Sequence, residues 1–450
     1  MNMRNRLVFV VGLVVFGASV GVGAAAPDVE ALQRQLHAFG ERPVYDGPPL
    51  ALQAALSEAL EKNPELIALR RQFEAARFRP AQERFLMAPT FDAQIWQWPL
   101  NSLNPANTNM YMFMMNQDVP GRGKRALRAA VAQKGVDLAE NDIAVRAREV
   151  IDDVKRAYAD LFVSRKAIDI HLTSVDLLRQ FVDVTQAKYE TGRISQQDVL
   201  KAVVEVAKLH DDLIVLDLQA QVAAARLNRL LNRPIAGPVG PLEEPREHVP
   251  LPAIDVLQSL ALKSQPELQR TRLAIERSQA ELAVAKREYK PDFSFQGGYL
   301  LMPGQTDSLL VRVGMTWPTA PWVRGRLDAK VAEATANVEA ATAGQQSAEN
   351  ALRFAVQEAY LRAKAAEQRA TLLRSTILPQ SRQTLEVSRI AYQTDRVDFL
   401  ALIDNQRVLL TSQLDYFKAL SEQAQALADL ERAVGMEIPP ATASIVNGTK

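Results

Sequence analysis

The sequence predicts a mainly α protein with a small β part, an internal two-fold repeat of long antiparallel α-helical hairpins with four strands per chain. Three observations predict it. The first is repetition: Asn63-Pro64-Glu65-Leu66 returns as Gln265-Pro266-Glu267-Leu268, Pro89 and Phe91 as Pro291 and Phe293, and Val154 and Tyr158 as Val356 and Tyr360, all displaced by 202 residues. Further on, Tyr189-Glu190-Thr191-Gly192-Arg193 returns as Tyr392-Gln393-Thr394-Asp395-Arg396, displaced by 203. A period this long exceeds the roughly 20 to 50 residues of solenoid repeats, so each copy is a large assembly and the two are related by a pseudo-symmetry axis. The second observation is the absence of proline between Pro120 and Pro234 over a helical pattern. The third is a pair of alternating apolar and polar segments at the same place in each copy.

In order along the chain, repeat 1 (50–232) opens with Leu52, Leu56, Leu60 and then Leu66, Leu69, Phe73 at spacings of three and four, a helix pair broken at Asn63-Pro64. Pro89 closes that pattern. Residues 90–98 alternate, with Phe91, Ala93 and Ile95 on one face and Asp92, Gln94 and Trp96 on the other; 110–119 alternate again after a polar turn. From about Arg125 to Tyr189 a packing stripe runs through Ile143, Ala147, Val150, Val154, Tyr158 and Leu161. At 1.5 Å per residue this is a helix of about 100 Å, too long for a compact domain. Thr191-Gly192-Arg193 breaks it, and Ser195 is placed to cap a return helix that reaches Asn232. The hairpin tip thus lies near 191–198.

A connection of twenty residues, 233–252, contains six prolines and is expected to be extended and stiff. Repeat 2 (253–436) has strands at 292–301 and 309–317, a long helix from Gly325 to Tyr392 with a kink expected at Pro379, a tip near 394–400, and a return helix to Val434. A tail, 437–450, follows.

At the other end, Met1-Asn2-Met3-Arg4-Asn5-Arg6, the uncharged run Leu7 to Val22 and Gly23-Ala24-Ala25-Ala26 have the three parts of a secretion signal, assigned to 1–26. The competing reading is a membrane anchor, which the glycines of that run weaken. An extended segment, 27–49, separates it from repeat 1. There is no cysteine, which suits an exported protein without disulfides and leaves no N-terminal cysteine to lipidate. Beyond the signal no run of about 18 apolar residues occurs, so a span across a membrane requires strands. Each strand has roughly the nine or ten residues of a tilted transmembrane strand, with Trp96, Trp98, Tyr299 and Trp317 near the ends. A soluble hairpin would alternate in the same way. Four strands cannot close a barrel, so the membrane reading needs several chains. A net charge of +1 leaves no electrostatic footprint for nucleic acid.

These residues resemble the outer-membrane efflux family, the TolC-like channels, over about 50 to 436. The likeness is specific at the strand-to-helix junction Gln117-Asp118-Val119-Pro120-Gly121-Arg122-Gly123-Lys124-Arg125, at the turn Tyr189 to Leu200 with Asp198-Val199, and at the turn Tyr392 to Asp404. The resemblance implies a homotrimer: a shared 12-stranded transmembrane β-barrel continued by a trimeric α-barrel tunnel in the periplasm, in the outer membrane of a Gram-negative cell. It also implies a periplasmic adaptor (membrane fusion protein), an inner-membrane pump and outer-membrane lipid as partners. The implied function is a passive gated duct of a tripartite efflux system, for heavy metals or drugs with an RND-type pump. A periplasmic coiled-coil adaptor without a membrane barrel is the alternative, and an uptake porin is weaker because it does not need such helices.

The family's Asp-x-x-Asp ring at the periplasmic mouth aligns with Ala401 and Asp404, so Asp404 is the gate candidate; the plain alternative is a solvated helix position. Gly192, Arg193, Ser195 and Asp198 in the first tip and Asp395, Arg396, Asp398 and Leu400 in the second are candidates for adaptor docking. Asp198 also suits a helix N-terminus. Met110, Met112 and Met114, with Met115 beside them, offer thioethers to a soft ion such as copper(I); filling gaps or facing lipid is the competing role. Arg122, Lys124, Arg125 and Arg128 are expected at the inner membrane boundary. His37, His171, His210 and His248 show no zinc spacing. No nucleophile elbow, Walker motif or clustered carboxylates occur, so no enzyme and no cofactor is expected.

Overall fold

The computed structural model describes residues 45–98, 100–101, 104, 107–244 and 250–438. The signal at 1–26, His37, His248, and nearly all of the segment 27–49 and the tail 437–450 lie outside the described residues. Repeat 1 comprises α1 (Leu52–Lys62), α2 (Pro64–Ala76), α3 (Arg79–Arg84), β1 (Thr90–Trp96), β2 (Met110–Val119), α4 (Lys124–Glu190) and α5 (Gln196–Leu230). Repeat 2 comprises α6 (Ile254–Ser264), α7 (Pro266–Arg287), β3 (Phe293–Leu301), β4 (Ser308–Met315), α8 (Pro321–Leu372), α9 (Leu378–Gln393) and α10 (Phe399–Val434). A π-helical turn, Leu373–Ile377, links α8 to α9.

The repeated Asn-Pro and Gln-Pro steps are structural clamps. Asn63 is buried, its side-chain oxygen accepts from the Glu65 and Leu66 N–H groups, and its amide donates to Leu230 O at 3.2 Å, at the end of α5. Gln265 donates in the same manner to Arg432 O at 2.9 Å, at the end of α10. Arg70 donates to Leu60 O in one copy and Arg272 to Leu262 O in the other, at 3.0 and 3.1 Å. Each helix pair is thereby tied to the foot of its own hairpin. Asn63→Ala is expected to destabilise the fold by about 1–3 kcal/mol, because it strands buried groups at two helix ends; thermal unfolding in detergent would measure this.

Two matched cores follow. In repeat 1, Ala55, Leu56, Leu66, Val154, Leu161 and Leu227 pack together; in repeat 2, Leu257, Ala261, Leu268, Val356, Ala363 and Leu430 do so. Val154 and Val356, equivalent by the repeat, are both wholly buried. A third core joins the two hairpins near their tips, where Leu178, Phe181, Val203 and Val206 meet Leu385, Tyr392, Phe399 and Leu402. The hairpins therefore lie side by side, with α4 against α10 in the middle and α5 and α8–α9 on the flanks.

The π turn explains two features of the sequence. Leu378 N–H reaches back to Leu373 O, a wider loop than in an α-helix, so the helix absorbs one additional residue. The repeat offset changes from 202 to 203 between the pairs Tyr158/Tyr360 and Tyr189/Tyr392, which bracket this turn. Pro379 sits in the first turn of α9, where its missing N–H is accommodated by that widened loop. The helix continues past it, so the expected kink takes the form of a π turn.

The strands form one antiparallel sheet in the order β1-β2-β3-β4, leaving β1 and β4 as edges. β1 stops at Trp96 because Gln97 turns to a positive φ of 58°, so Trp98 lies beyond the strand. Trp317 lies beyond β4, edge-on to Trp322 with ring centroids 5.9 Å apart. The connection between repeats differs from a free extended spacer. It begins with a turn closed by Gly237 N to Pro234 O at 2.8 Å, and Arg165 of α4, itself buried, donates to Val239 O and Gly240 O at 2.7 and 2.6 Å. Residues 245–249 of the connection lie outside the described residues.

Candidate functional site

Two regions concentrate the candidate residues: the hairpin tips and the sheet. At the first tip, Lys188, the basic residue in the last turn of α4, precedes a break in which Gly192 takes φ 70° and Arg193 N–H donates to Lys188 O at 3.0 Å. At the second tip Asp395 takes the same left-handed place with φ 59°, and Arg396 N–H donates to Ala391 O at 2.9 Å. Aspartate is among the few side chains that accept this backbone. Asp398 caps α10, accepting from Ala401 N–H at 2.9 Å. Ser195 stands at the cap position of α5, but its side chain makes no cap hydrogen bond, contrary to the sequence expectation. Asp198, in the first turn of α5, supplies the negative charge there. Leu400 and Arg396 are exposed.

The tips are tied to one another. Lys188 Nζ donates to Tyr392 O and to Asp395 Oδ1, both at 2.5 Å, and lies 4.2 Å from the centre of the Tyr392 ring. Arg193 stands 3.7 Å from Asp395. The hydrogen bond from Lys188 holds the Asp395 carboxyl below the usual carboxylate range. Burial, with the charges of Asp198 and Asp395 nearby, pushes the Tyr392 phenol up to about 12. Two turns further along, Arg407 of α10 grips Glu205 of α5 through contacts of 2.5 and 3.1 Å. Asp404 lies exposed one turn from Arg407, and its charge, after that of Glu205, helps to keep the guanidinium protonated. Lys188, Glu205 and Arg407 were not singled out in the sequence. A lysine in the last turn of a long helix is the signal that could have identified the first of them.

At the other end of the hairpins, Lys124 is buried and donates to Asp292 Oδ2 at 2.9 Å, while Gly121 N–H donates to Asp292 Oδ1 at 2.7 Å. Burial opposes ionisation of Asp292, but these two donors outweigh it and keep its pKa low. Arg125 donates to Arg84 O, Arg128 pairs with Glu288 at 3.4 Å, and the Arg122 carbonyl accepts from Arg287. The basic cluster therefore locks the two repeats together at the root of the sheet, with Lys124 turned inward.

The sheet has two unlike faces. On one, Phe91, Ile95, Phe113, Met115, Phe295, Val311 and Val313 are exposed and apolar. On the other, Asp92, Gln94, Asn116, Ser294, Gln296 and Arg312 fall together with Trp96, Met110, Met112, Met114, Leu300 and Leu310, through the pairings Asp92 with Met114, Trp96 with Met110, Met112 with Leu300, and Gln296 with both Asn116 and Arg312. No helix among the described residues is long and apolar enough to cross a membrane. The apolar exposed face of the sheet is the surface suited to lipid.

An open-edged sheet with an apolar outer face, rooted on paired helical hairpins whose first outgoing helix runs about 100 Å, defines the architecture of TolC-like outer-membrane channels. The sequence profile of the outer membrane efflux protein family matches residues 55–233 and 257–436, one span in each repeat. The chain belongs to the outer membrane efflux protein family. It is 23% identical over 392 residues to the cobalt-zinc-cadmium resistance protein CzcC of Cupriavidus metallidurans, covering 86% of this chain and 90% of that protein. A membrane protein from Pseudomonas aeruginosa superimposes with a TM-score of 0.73 at 17% identity, over 95% of this chain and 97% of the other. The Campylobacter jejuni CmeC outer membrane channel does so with a TM-score of 0.72 at 13% identity, over 87% and 86%. These likenesses establish a common fold.

Proposed function

We propose that this chain is the outer-membrane duct of a tripartite efflux system, a passive homotrimeric channel whose tunnel crosses the periplasm towards an adaptor and an inner-membrane pump. The sheet carries this reading: four strands with two unpaired edges and an apolar outer face are not a stable end state in lipid. Three copies supply twelve strands and close the barrel. The flanks of the hairpin pair fit the same closure. Ile214, Leu218 and Val222 are exposed along α5, and Phe354, Leu361 and Val387 along α8 and α9, so one copy offers an apolar flank at each side to the next.

In this assembly Asp404 stands three times about the tunnel axis, one ring of carboxylates at the mouth. The two tips, Gly192 to Asp198 and Asp395 to Leu400, give six near-equivalent knobs, suited to an adaptor with six-fold repetition. The likeness to a cobalt-zinc-cadmium resistance protein favours heavy-metal ions as cargo. Catalysis is no part of the proposal; the energy comes from the pump.

The mature protein, purified in detergent, is expected to have the mass of three chains and to form conducting pores in planar bilayers. Leu218→Glu, which sets a charge in the flank of α5, is expected to shift it to monomer. A monomer that stays soluble without detergent would end the proposal.

A further inference from the structure

We propose that the segment from Arg77 to Met87, together with Arg125, is a collar that binds anionic phospholipid, its arginines on the headgroup phosphate and Phe85 and Met87 against the acyl chains. The leaflet, the one nearer the hairpins, rests on the duct reading; the collar itself rests on the segment. β1 has only seven residues, Thr90–Trp96. At about 3.3 Å per residue and a tilt of about 40° it rises about 18 Å, short of the apolar band of about 25 Å that outer-membrane barrels present. The chain before it makes up the difference. Phe85 is already extended, with φ −78° and ψ 157°, and Gln117 of β2 donates to Met87 O at 3.0 Å, which holds the segment alongside the root of the sheet. Counted along the alternation of β1, Phe85 and Met87 fall on the face of Phe91, Ala93 and Ile95, and both are 75% exposed. From Phe85 to Ile95 the same pitch and tilt give about 25 Å.

At the root end of that apolar row the charge turns positive. Arg84 immediately precedes Phe85, and Arg125 of α4 donates to Arg84 O at 2.8 Å, which brings a second guanidinium to the same place. Arg77, Arg79 and Arg84 are exposed and, like Arg125, have no carboxylate partner among the described residues, whereas Arg128 is paired with Glu288. Glu83 is the one acid between Arg77 and Arg84. Guanidinium groups match the oxygens of a phosphate, and four of them against one carboxylate favour a lipid with net negative charge over a zwitterionic one. Trp317, past β4, and Trp322, in the first turn of α8, stand exposed at the same end of the sheet, as girdle residues do at the edge of an apolar band. Barrel closure sets β4 of one copy beside β1 of the next, which places this pair next to the collar.

Tryptophan fluorescence tests the collar. Trp96→Phe/Trp98→Phe leaves Trp317 and Trp322 as the two remaining tryptophans, both at the collar end. The mature protein with these changes is reconstituted in phosphatidylcholine bilayers containing brominated phosphatidylglycerol or brominated phosphatidylcholine, and quenching reports which lipid occupies the site. Phosphatidylglycerol is expected to bind at least about fivefold more tightly, the effect of one arginine at an anionic surface. Arg84→Gln/Arg125→Gln is expected to bring the ratio close to one and Arg84→Lys/Arg125→Lys to keep most of it; Arg79→Gln alone, a change confined to the surface, is expected to lower it. Lys201→Gln/Arg382→Gln, which removes exposed cations towards the tips, is the control and is expected to match the parent. Equal quenching by the two lipids, an undiminished ratio in Arg84→Gln/Arg125→Gln, or loss of the preference in low-millimolar inorganic phosphate at constant ionic strength overturns the collar. Phe85→Ser/Met87→Ser is expected to weaken both lipids without changing the mass of the assembly; a shift to monomer would make the row a seam between copies and overturn the collar as well. Conductance and mass of the same preparations separate the two ideas: conducting trimers without lipid preference sink the collar alone, and a preference shown by monomers without pores sinks the duct alone.

Discussion

Lys188→Ala is expected to open the tunnel end, raising single-channel conductance severalfold in planar bilayers while leaving the mass of the assembly unchanged. Lys188 is the cation that joins the first hairpin tip to the second. Its ammonium meets the Tyr392 carbonyl and the Asp395 carboxylate at 2.5 Å each, and its side chain is only 12% exposed. Alanine removes both charge-assisted bonds and the contact over the Tyr392 ring at one stroke, and leaves Arg193 at 3.7 Å as a weak substitute. Beneath it, Glu205 and Arg407 form a second link from hairpin to hairpin. The buried core around Phe181, Val203, Phe399 and Leu402 holds the fold on both sides, so on the duct reading losing the polar links is expected to shift a balance of open and closed tips rather than unfold the chain. Adding Arg407→Ala is expected to raise conductance further. Unchanged conductance in the double variant would dispose of the latch.

The latch has a definite pH dependence. Asp395 has a carboxyl pKa lowered first by the Lys188 hydrogen bond, so its contribution is complete above the ordinary carboxylate pKa and is lost as pH falls through the lowered folded value. Wild-type conductance is therefore expected to stay flat from neutral pH down through the ordinary carboxylate range and to rise only below it. Asp395→Asn is expected to be open already at neutral pH and to lose the acid-induced rise.

Most of the architecture was legible because it follows from periodicity. The helix stripes, the alternating strands and the 202-residue echo each reflect backbone geometry that the chain cannot hide. Even the single-residue slip was visible, and its cause is the π turn at Leu373–Ile377. What escaped was pairing between residues distant in sequence. Lys124 is a surface lysine by type and becomes buried because Asp292, 168 residues away, meets it at the root of the sheet. Arg165 lies on a regular helix, and nothing in its neighbours announces the carbonyls of Val239 and Gly240. Lys188 has Ala391 as its counterpart in the other repeat, so the repeat itself concealed the latch. Pseudo-symmetry reveals what the copies share and is silent about where they differ.

Such a difference sits at the ends of the return helices, where Gly435→Asn is expected to cost roughly 3–5 kcal/mol and most of the folded yield. Asn232 and Gly435 occupy places equivalent by the 203-residue offset, two residues past the end of α5 and one past the end of α10, with φ 55° and 81°. Asparagine tolerates that backbone, so conformation alone predicts that it would serve at either position. Surroundings decide otherwise. Asn232 is exposed, whereas a Cβ at 435 would lie 2.7 Å from Gln265 Cα and 2.9 Å from Ser264 O, both backbone atoms of the step between α6 and α7. Neither can move without breaking the Gln265 clamp on the Arg432 carbonyl. The reciprocal change, Asn232→Gly, is expected to stay within about 0.5 kcal/mol of wild type, as surface substitutions commonly do. Thermal unfolding of the two variants side by side measures the asymmetry. Comparable losses in both would mean that close packing at the foot of the second hairpin is not what demands glycine there.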